Sequence, residues 1–492
     1  MPKYIDKVIS NAEQKILVLA LTSRLLVLLL MVTADTVFSD LDSSAPLQNF
    51  PCGSLDKTTP ISTNNSWIAR FLDGLAPWDS VYFVRIAKCG YETDMMNAFF
   101  PFLPFLMRYG AKYTGLTYIG TELMNLPIES IYTALGLEVN IVAFCIAAVA
   151  LHRLSRYVLQ NEELASLSVL LFCCNPASVF YSAAYTESLF AACTWTGLVL
   201  LTIKNGGGTG GGSVIYWAAG VLLFCLAGAT RSNGILSAWF LVHPLIIDVV
   251  NSIRRRKKAS FPWKMLFKTI VGCAVVWSPY FAMQVYGYQT YCINASSGSS
   301  SGGNLQLPVW CFKRLPSLYG YVQKAYWDVG FLRFYRHLNR WPWLLQSAPV
   351  FYIAIVSCWM WMSTDWRRAL SLGAITLSKR KVHTRSMSAT TTTAAETTSF
   401  SFLNDAVAPY IYHLAGMTAI ALFMMHVNVA TRFLSSSPVL YWGAAVLLKR
   451  TREDTRHNHR VISCVSSNWI WLWTMVSAIL GCLLFPNFFP WT

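Results

Sequence analysis

Apolar runs alternate with short polar or basic segments from residue 17 to residue 485, with no polar half. The first run, residues 16–33, is 18 long, close to the roughly 20 residues a helix needs to cross the hydrocarbon core. Lys3, Lys7 and Lys15 precede it and Asp35, Asp40 and Asp42 follow, which predicts a retained first helix with its N-terminus in the cytosol. Runs at 214–229, 235–250, 267–283, 348–362, 405–427, 439–448 and 469–485 continue the alternation. They leave a first loop at 34–97 and a larger loop at 284–346 on the non-cytosolic side, each with an N-glycosylation sequon, at Asn64 and Asn294. A basic, Ser/Thr-rich segment at 365–401 falls in the cytosol and is mobile by composition. Between 99 and 203 the pattern is irregular, because FPFLP at 100–104 is broken by proline and the run 164–174 is short. The whole chain, 1–492, reads as one all-α polytopic membrane domain of about ten or eleven transmembrane or re-entrant segments. At least one is broken, which a bilayer tolerates only where it lines a cavity inside protein.

Composition removes the soluble alternatives. Only 13% of residues are charged and 54% are apolar, against about 25% charged in soluble domains. The net charge of +16, from 39 basic and 23 acidic residues, would suit nucleic acid if it lay on one face. It sits instead in clusters between apolar runs, at 254–258, 367–385 and 449–460, as the positive-inside rule expects of cytoplasmic loops. Nucleic-acid binding is excluded on that ground. GGGTGGG at 206–212 reads as a flexible cytosolic linker. Most of the 13 cysteines lie inside apolar runs and read as small hydrophobes, and none has zinc-site spacing.

Polar residues inside or beside apolar runs carry the candidate chemistry, since a charge at helix depth costs roughly 2.5 to 3.5 kcal/mol on insertion scales. Four such clusters fall on the non-cytosolic side. Residues 77–91 have apolar positions at helical spacing, an amphipathic helix on the membrane with Trp78 at the interface and Asp79 in the first turn, where a carboxylate can simply cap the helix. In 175–190, Glu187 stands between tyrosines in an apolar stretch, at the start of a helix. Arg231 and Asn233 occupy a hairpin tip, closing a turn or holding an anion. His426 and Arg432 end an apolar helix, snorkelling to headgroups or clamping a phosphate. Two carboxylates and two cations at one cavity fit transfer from a lipid-phosphate donor, and they fit an anion transporter equally well.

A resemblance separates these readings. WDSVYFVRIAKCGY, NAFFPFLPFL, NPASVFYSAAYTESLF, GATRSNGIL, YWDVGFLRFY and MHVNVATRFLSSSPVLYW, followed by the terminal NFFPWT, resemble in order the GPI mannosyltransferase 2 family, from about residue 68 to 492. The resemblance implies a GT-C-type glycosyltransferase of the endoplasmic reticulum membrane with a luminal active site. It would add an α-1,6-linked mannose from dolichyl-phosphate mannose to the mono-mannosylated glucosaminyl-acylphosphatidylinositol precursor of glycosylphosphatidylinositol anchors. A β-linked donor and an α-linked product imply inversion by single displacement, so one carboxylate suffices as general base. The leaving phosphate carries its own charge, so neither a metal nor another cofactor is expected.

By that resemblance Asp79 is the base, and Glu187 is a second choice or a holder of acceptor hydroxyls. Arg231 and Arg432, and less strongly His426, meet the dolichyl phosphate. Trp78, Tyr82, Phe100 and Trp327 are candidates to stack on sugar, with interface anchoring as the alternative. Asp328 is a rival carboxylate, although the resembled family can carry Asn there. The Ser/Gly tract 296–303 looks like an insertion, bracketed by Cys292 and Cys311, a candidate disulfide in an oxidising lumen. ER membrane lipids surround the chain, and the resemblance leaves open whether a small membrane partner subunit is needed. The competing classes are a multi-pass lipid or anion transporter and a non-catalytic scaffold of GPI synthesis.

Overall fold

Away from water an apolar segment must pair its backbone groups internally, and helices do so within one segment. The computed structural model describes residues 10–39, 41, 52, 67–204, 212–254, 261–294, 307–375, 401–456 and 468–491, and no strand occurs among them. Asn64, the glycine linker, the basic turn after Arg254, the 296–303 insertion and most of 365–401 lie outside the described residues.

The helices are α1 (Asn11–Val37), α2 (Trp67–Asp73), α3 (Asp79–Cys89), α4 (Phe102–Tyr113), α5 (Ile128–Leu159), α6 (Glu162–Cys173), α7 (Glu187–Lys204) and α8 (Gly212–Thr230). They continue as α9 (Trp239–Arg254), α10 (Trp263–Tyr288), α11 (Leu318–Ala325), α12 (Pro342–Met362), α13 (Ala408–Phe423), α14 (Ala430–Leu434), α15 (Pro438–Arg456) and α16 (Asn468–Leu484). Among the described residues, six helical stretches are long and apolar enough to cross a membrane, and three shorter apolar helices accompany them. This is a membrane protein. Its core is continuous: α5 packs along α7, α7 along α8 and α8 along α10, while α12 joins α13 to α15 and α1 joins α5 to α16.

The irregular stretch of the sequence resolves around α5. Pro127 precedes it, Glu129 sits in its first turn and Arg156 in its last, each sign matching the helix dipole. Left-handed Gln160 ends it, and Asn161 caps α6 through its side chain at 3.0 Å. Its 32 residues make a rod of about 48 Å, longer than a bilayer core. Glu138, Asn140, His152 and Arg153 break its apolar pattern and hide it from the sequence.

Between α6 and α7 lies the broken segment. Residues 175–190 are all buried, yet α7 begins only at Glu187. Its backbone finds partners in side chains of other helices. Arg24, fully buried in apolar α1, donates to the carbonyls of Cys173 (3.1 Å) and Ser178 (2.8 Å) and to the hydroxyls of Ser178 and Ser182. Its guanidinium also lies 3.9 Å from the Phe144 ring centre. Asn140 in α5 donates to the carbonyls of Ala183 and, at 2.7 Å, Tyr185.

Ion pairs mark the two ends of the bundle. Glu13–Arg153, Arg156–Glu162 and Glu163–Lys449 tie the start of α1 to the end of α5, the start of α6 and α15. At the other end of α5, Glu129 pairs with Lys88 of α3. The first loop is thus partly helical. Its α3 is buried on most sides, which corrects the reading of a helix lying on the membrane surface.

Arg24→Met keeps the bulk and removes the donors, taking from the buried Ser178 carbonyl and the Ser178 and Ser182 hydroxyls the partner that Arg24 supplies. It is expected to cost on the order of 3 kcal/mol of stability. Thermal unfolding in detergent reads this, and an unchanged midpoint would contradict the clamp.

Candidate functional site

All four of the sequence's clusters send a charged residue to the end of the bundle where α3 and α7 begin. Arg432, on α14, is the hub. Its Nε donates to Glu187 Oε1 at 2.8 Å, and both terminal nitrogens donate to Asp79 Oδ2 at 3.1 Å. Arg231 closes on the same Glu187 oxygen and donates to the Thr186 hydroxyl at 3.2 Å. The order Asp79–Arg432–Glu187–Arg231 alternates sign, so each charge lies beside its opposite.

The chain of charges runs from closed to open. The Glu187 side chain is 3% exposed and that of Arg432 9%, whereas Arg231 is 20% and Asp79 39% exposed. The guanidinium of Arg432 lies over the rings of Phe180 (4.4 Å) and Tyr185 (4.9 Å), both in the broken segment. Burial opposes the charge on Arg432, but Glu187 and Asp79 outweigh it and hold its pKa above the usual arginine value. The other oxygen of Glu187, Oε2, is buried with no hydrogen-bond partner among the described residues.

Asp79 does not cap α3. The N-cap is Trp78, with no side-chain cap bond, and the Asp79 carboxylate is turned onto Arg432 instead. Trp78 holds φ +57°, ψ −121°, a conformation that costs about 1–3 kcal/mol in a residue with a side chain. The Asp79 amide donates to the Tyr185 hydroxyl at 3.0 Å, and that hydroxyl donates on to the Pro77 carbonyl at 3.4 Å. Burial, and then the Asp79 charge, push the Tyr185 phenol well above its ordinary pKa, so it stays protonated.

Arg231 is aimed by a close backbone approach. It precedes the 3₁₀ turn Ser232–Ala238, which also carries Asn233. A Cβ at Gly234 would stand 2.5 Å from the backbone of Gly228, so the turn folds tightly onto α8 only with glycine there.

The remaining candidates lie around this group. Tyr82, one turn after Asp79, stacks on Phe99 at 4.6 Å, and Phe99 meets Trp327 edge-on at 5.9 Å. Phe100 is 1% exposed, closed in by Tyr280 and Tyr319, and has no open face for a sugar. His426 donates its Nε2 proton to the Trp327 carbonyl at 2.5 Å, bracing a loop, and makes no contact with the Asp79 group. Asp328 is held by Arg333 at 2.7 Å and Arg340 at 3.3 Å, which commits that carboxylate elsewhere. Sequence reasoning passed over Phe180 and Thr186, and it saw Tyr185 only as a neighbour of Glu187.

Cys292 and Cys311 form a disulfide, Cα–Cα 5.7 Å, and Asn294 is exposed beside it. A second disulfide, Cys52–Cys89 at 5.4 Å, ties the first loop to the end of α3. All four cysteines lie outside the apolar runs, the signal that marks them in sequence. Glu92 lies close to Cys52 and Cys89, but their sulfurs are bonded to each other and offer no thiolates to a metal.

A family model described as Mannosyltransferase (PIG-V) matches residues 13–492. The human protein named GPI alpha-1,6-mannosyltransferase 2 is 29% identical, over 98% of this chain and 99% of its own length. GPI mannosyltransferase 2 of Drosophila melanogaster is 28% identical over 97% of this chain and 100% of its own, and that of Schizosaccharomyces pombe is 27% identical over 83% and 72%. The archaeal oligosaccharyltransferase AglB from Archaeoglobus fulgidus, solved with an inhibitory peptide and a dolichol-phosphate, is similar at TM-score 0.35 and 14% identity. That likeness covers 94% of this chain, which spans 55% of the archaeal one.

Glu187→Gln breaks a buried pairing with two arginines and should cost about 3–5 kcal/mol of stability. Asp79→Asn changes a half-open pair and should cost less than about 1 kcal/mol. Denaturation of the two purified variants compares them, and equal losses would contradict this gradient of burial.

Proposed function

The chain belongs to the mannosyltransferase (PIG-V) family, and from that premise we propose that it adds the second, α-1,6-linked mannose to a glycosylphosphatidylinositol precursor. The donor is dolichyl-phosphate mannose, the acceptor is mono-mannosylated glucosaminyl-acylphosphatidylinositol, and the active site faces the lumen of the endoplasmic reticulum. The observation that carries this reading is the Arg432 hub, where one guanidinium joins an accessible carboxylate to a buried one.

In the reaction, Asp79 takes the proton from the acceptor's C6 hydroxyl as that oxygen attacks the anomeric carbon of the donor mannose. The bond from that carbon to the phosphate oxygen breaks on the opposite face, and its electron pair departs on dolichyl phosphate. The sugar passes through an oxocarbenium-like transition state and its configuration inverts. Arg432 and Arg231 receive the phosphate charge, the work that fixed cations do in phosphoryl and glycosyl sites. Glu187 serves as the anchor of both arginines and not as a base, because its side chain is closed off from the acceptor and its Oε1 holds both guanidinium groups.

Arg432 gives the cycle an order. In the resting protein it neutralises Asp79. A donor phosphate competes for the same two terminal nitrogens and frees the carboxylate for the acceptor. The topology supports a luminal site: the Asp79 group lies at the end of the bundle opposite the Glu13–Arg153 and Lys449 pairs, which adjoin the basic segments. Both disulfides are carried by the loops at the site's end, as an oxidising compartment would have them.

Microsomal transfer from radiolabelled dolichyl-phosphate mannose to the mono-mannosylated acceptor tests the reading. Asp79→Asn should lower transfer by about 10²–10⁴-fold, while chelator should leave the wild-type rate unchanged. Near-normal turnover by Asp79→Asn would overturn the base assignment, and loss of activity in chelator would overturn the metal-free mechanism.

A further inference from the structure

A second cationic group stands apart from the hub, on the stretch WDVGFLRFYRHLNR between α11 and α12, residues 327–340. It contains three arginines and a histidine against one carboxylate. Asp328 gathers two of the arginines and the histidine: Arg333 and Arg340 reach its two oxygens at 2.7 and 3.3 Å, and His337 comes within 3.5 Å. Each guanidinium carries five N–H donors, far more than one carboxylate can accept. The side chains of Arg333 and Arg340 are about a quarter exposed and that of His337 half exposed. Spare donors and excess positive charge therefore face outward together.

The loop is fixed, not loose. Asp328 and Leu332 both hold left-handed φ, +51° and +55°. The Leu332 amide donates to Phe423 at 2.7 Å, Val329 to Gln323 at 2.9 Å, and His426 to the Trp327 carbonyl. Strain kept in place by surrounding bonds is typical of ligand-holding loops. The rim is apolar: Phe331, Leu338 and Leu345 are 65%, 79% and 78% exposed at the start of membrane-spanning α12. Cations framed by apolar side chains at the end of such a helix match a phospholipid, with its phosphate on the arginines and its chains along the helix.

We propose that Arg333, Arg340 and His337 form the subsite for the phosphodiester of the lipid-anchored acceptor. The inference rests on the acceptor named above. The donor phosphate has its own cations at Arg432 and Arg231, next to the base. The second set is separated from Asp79 by the ring series Tyr82, Phe99 and Trp327, with steps of 4.6 and 5.9 Å. That is the arrangement a glycolipid requires, because its sugars stand between the reacting hydroxyl and the phosphate. Phe99 is buried between them, and the half-buried Tyr82 and Trp327 are the rings of this series that a sugar can meet. Asp328 is here a positioning residue that presents the arginine forks.

The test is the kinetics of Arg333→Gln/Arg340→Gln in membranes, with native acceptor and with the same glycan lacking the phosphodiester. Loss of two charge-assisted bonds should raise the acceptor KM about tenfold or more, while the donor KM stays within about twofold. On the phosphate-free glycan, wild type and variant should be equally poor. Should the variant prove too unstable to assay, wild type alone decides: phosphate removal must raise its acceptor KM by a similar factor. An unchanged acceptor KM, a rise in donor KM instead, or an equal loss on the phosphate-free glycan overturns the inference. Absence of any mannose transfer by wild type would strike the acceptor reading itself, which is a different result.

Discussion

A buried charge must be paired, and Arg432 is the point at which this protein meets that requirement. It lies within the protein over two aromatic rings, and it is tolerable there because Glu187 and Asp79 both bond to it. The pairing joins three distant parts of the chain: the start of α3, the start of α7 and the short α14. Glu187 then holds Arg231 as well, so one carboxylate fixes two cations. The consequence is chemical. Asp79 is the member with most access to solvent, and its ion-pair partner among the described residues is a group that a phosphate would also seek.

The rest of the bundle makes that hub possible. The rings beneath Arg432 belong to backbone outside the α-helices, with one short 3₁₀ turn, which survives among apolar helices only if its remaining amides and carbonyls are satisfied from outside. Arg24 of α1 and Asn140 of α5 do this, reaching different carbonyls of the broken segment. Tyr181 of that segment and Trp195 of α7 bond to Ser435 and Ser436, just past α14, so the segment and the helix after it together seat the helix that carries Arg432. A basic residue in the first apolar helix, far from the site in sequence, is therefore part of its foundation.

Much of this was legible in the sequence, for identifiable reasons. Helix runs with clean apolar stretches, such as α1, α10 and α16, were found within a few residues because hydropathy alone defines them. The polar exceptions Asp79, Glu187, Arg231 and Arg432 were visible because charges in apolar surroundings are conspicuous. Their convergence was not, since the partners of Arg432 are 245 and 353 residues away and no local pattern encodes that distance. Asp79 read locally as a helix cap; only the tertiary partner shows otherwise. Phe100 and His426 carried the right chemistry in the wrong place, one sealed in a core and the other spent on a loop carbonyl. Arg24 went unnoticed because a lone arginine in an apolar helix looks like an interruption until the carbonyls it serves are known.

The most direct measurement of the central claim is a structure of the protein with bound dolichyl phosphate, determined in lipid nanodiscs. The account predicts phosphate oxygens on the terminal nitrogens of Arg432, the Asp79 carboxylate released from that guanidinium and facing an open space, and Glu187 still on Nε. A bound lipid phosphate elsewhere, with the Asp79–Arg432 bond intact, would contradict it.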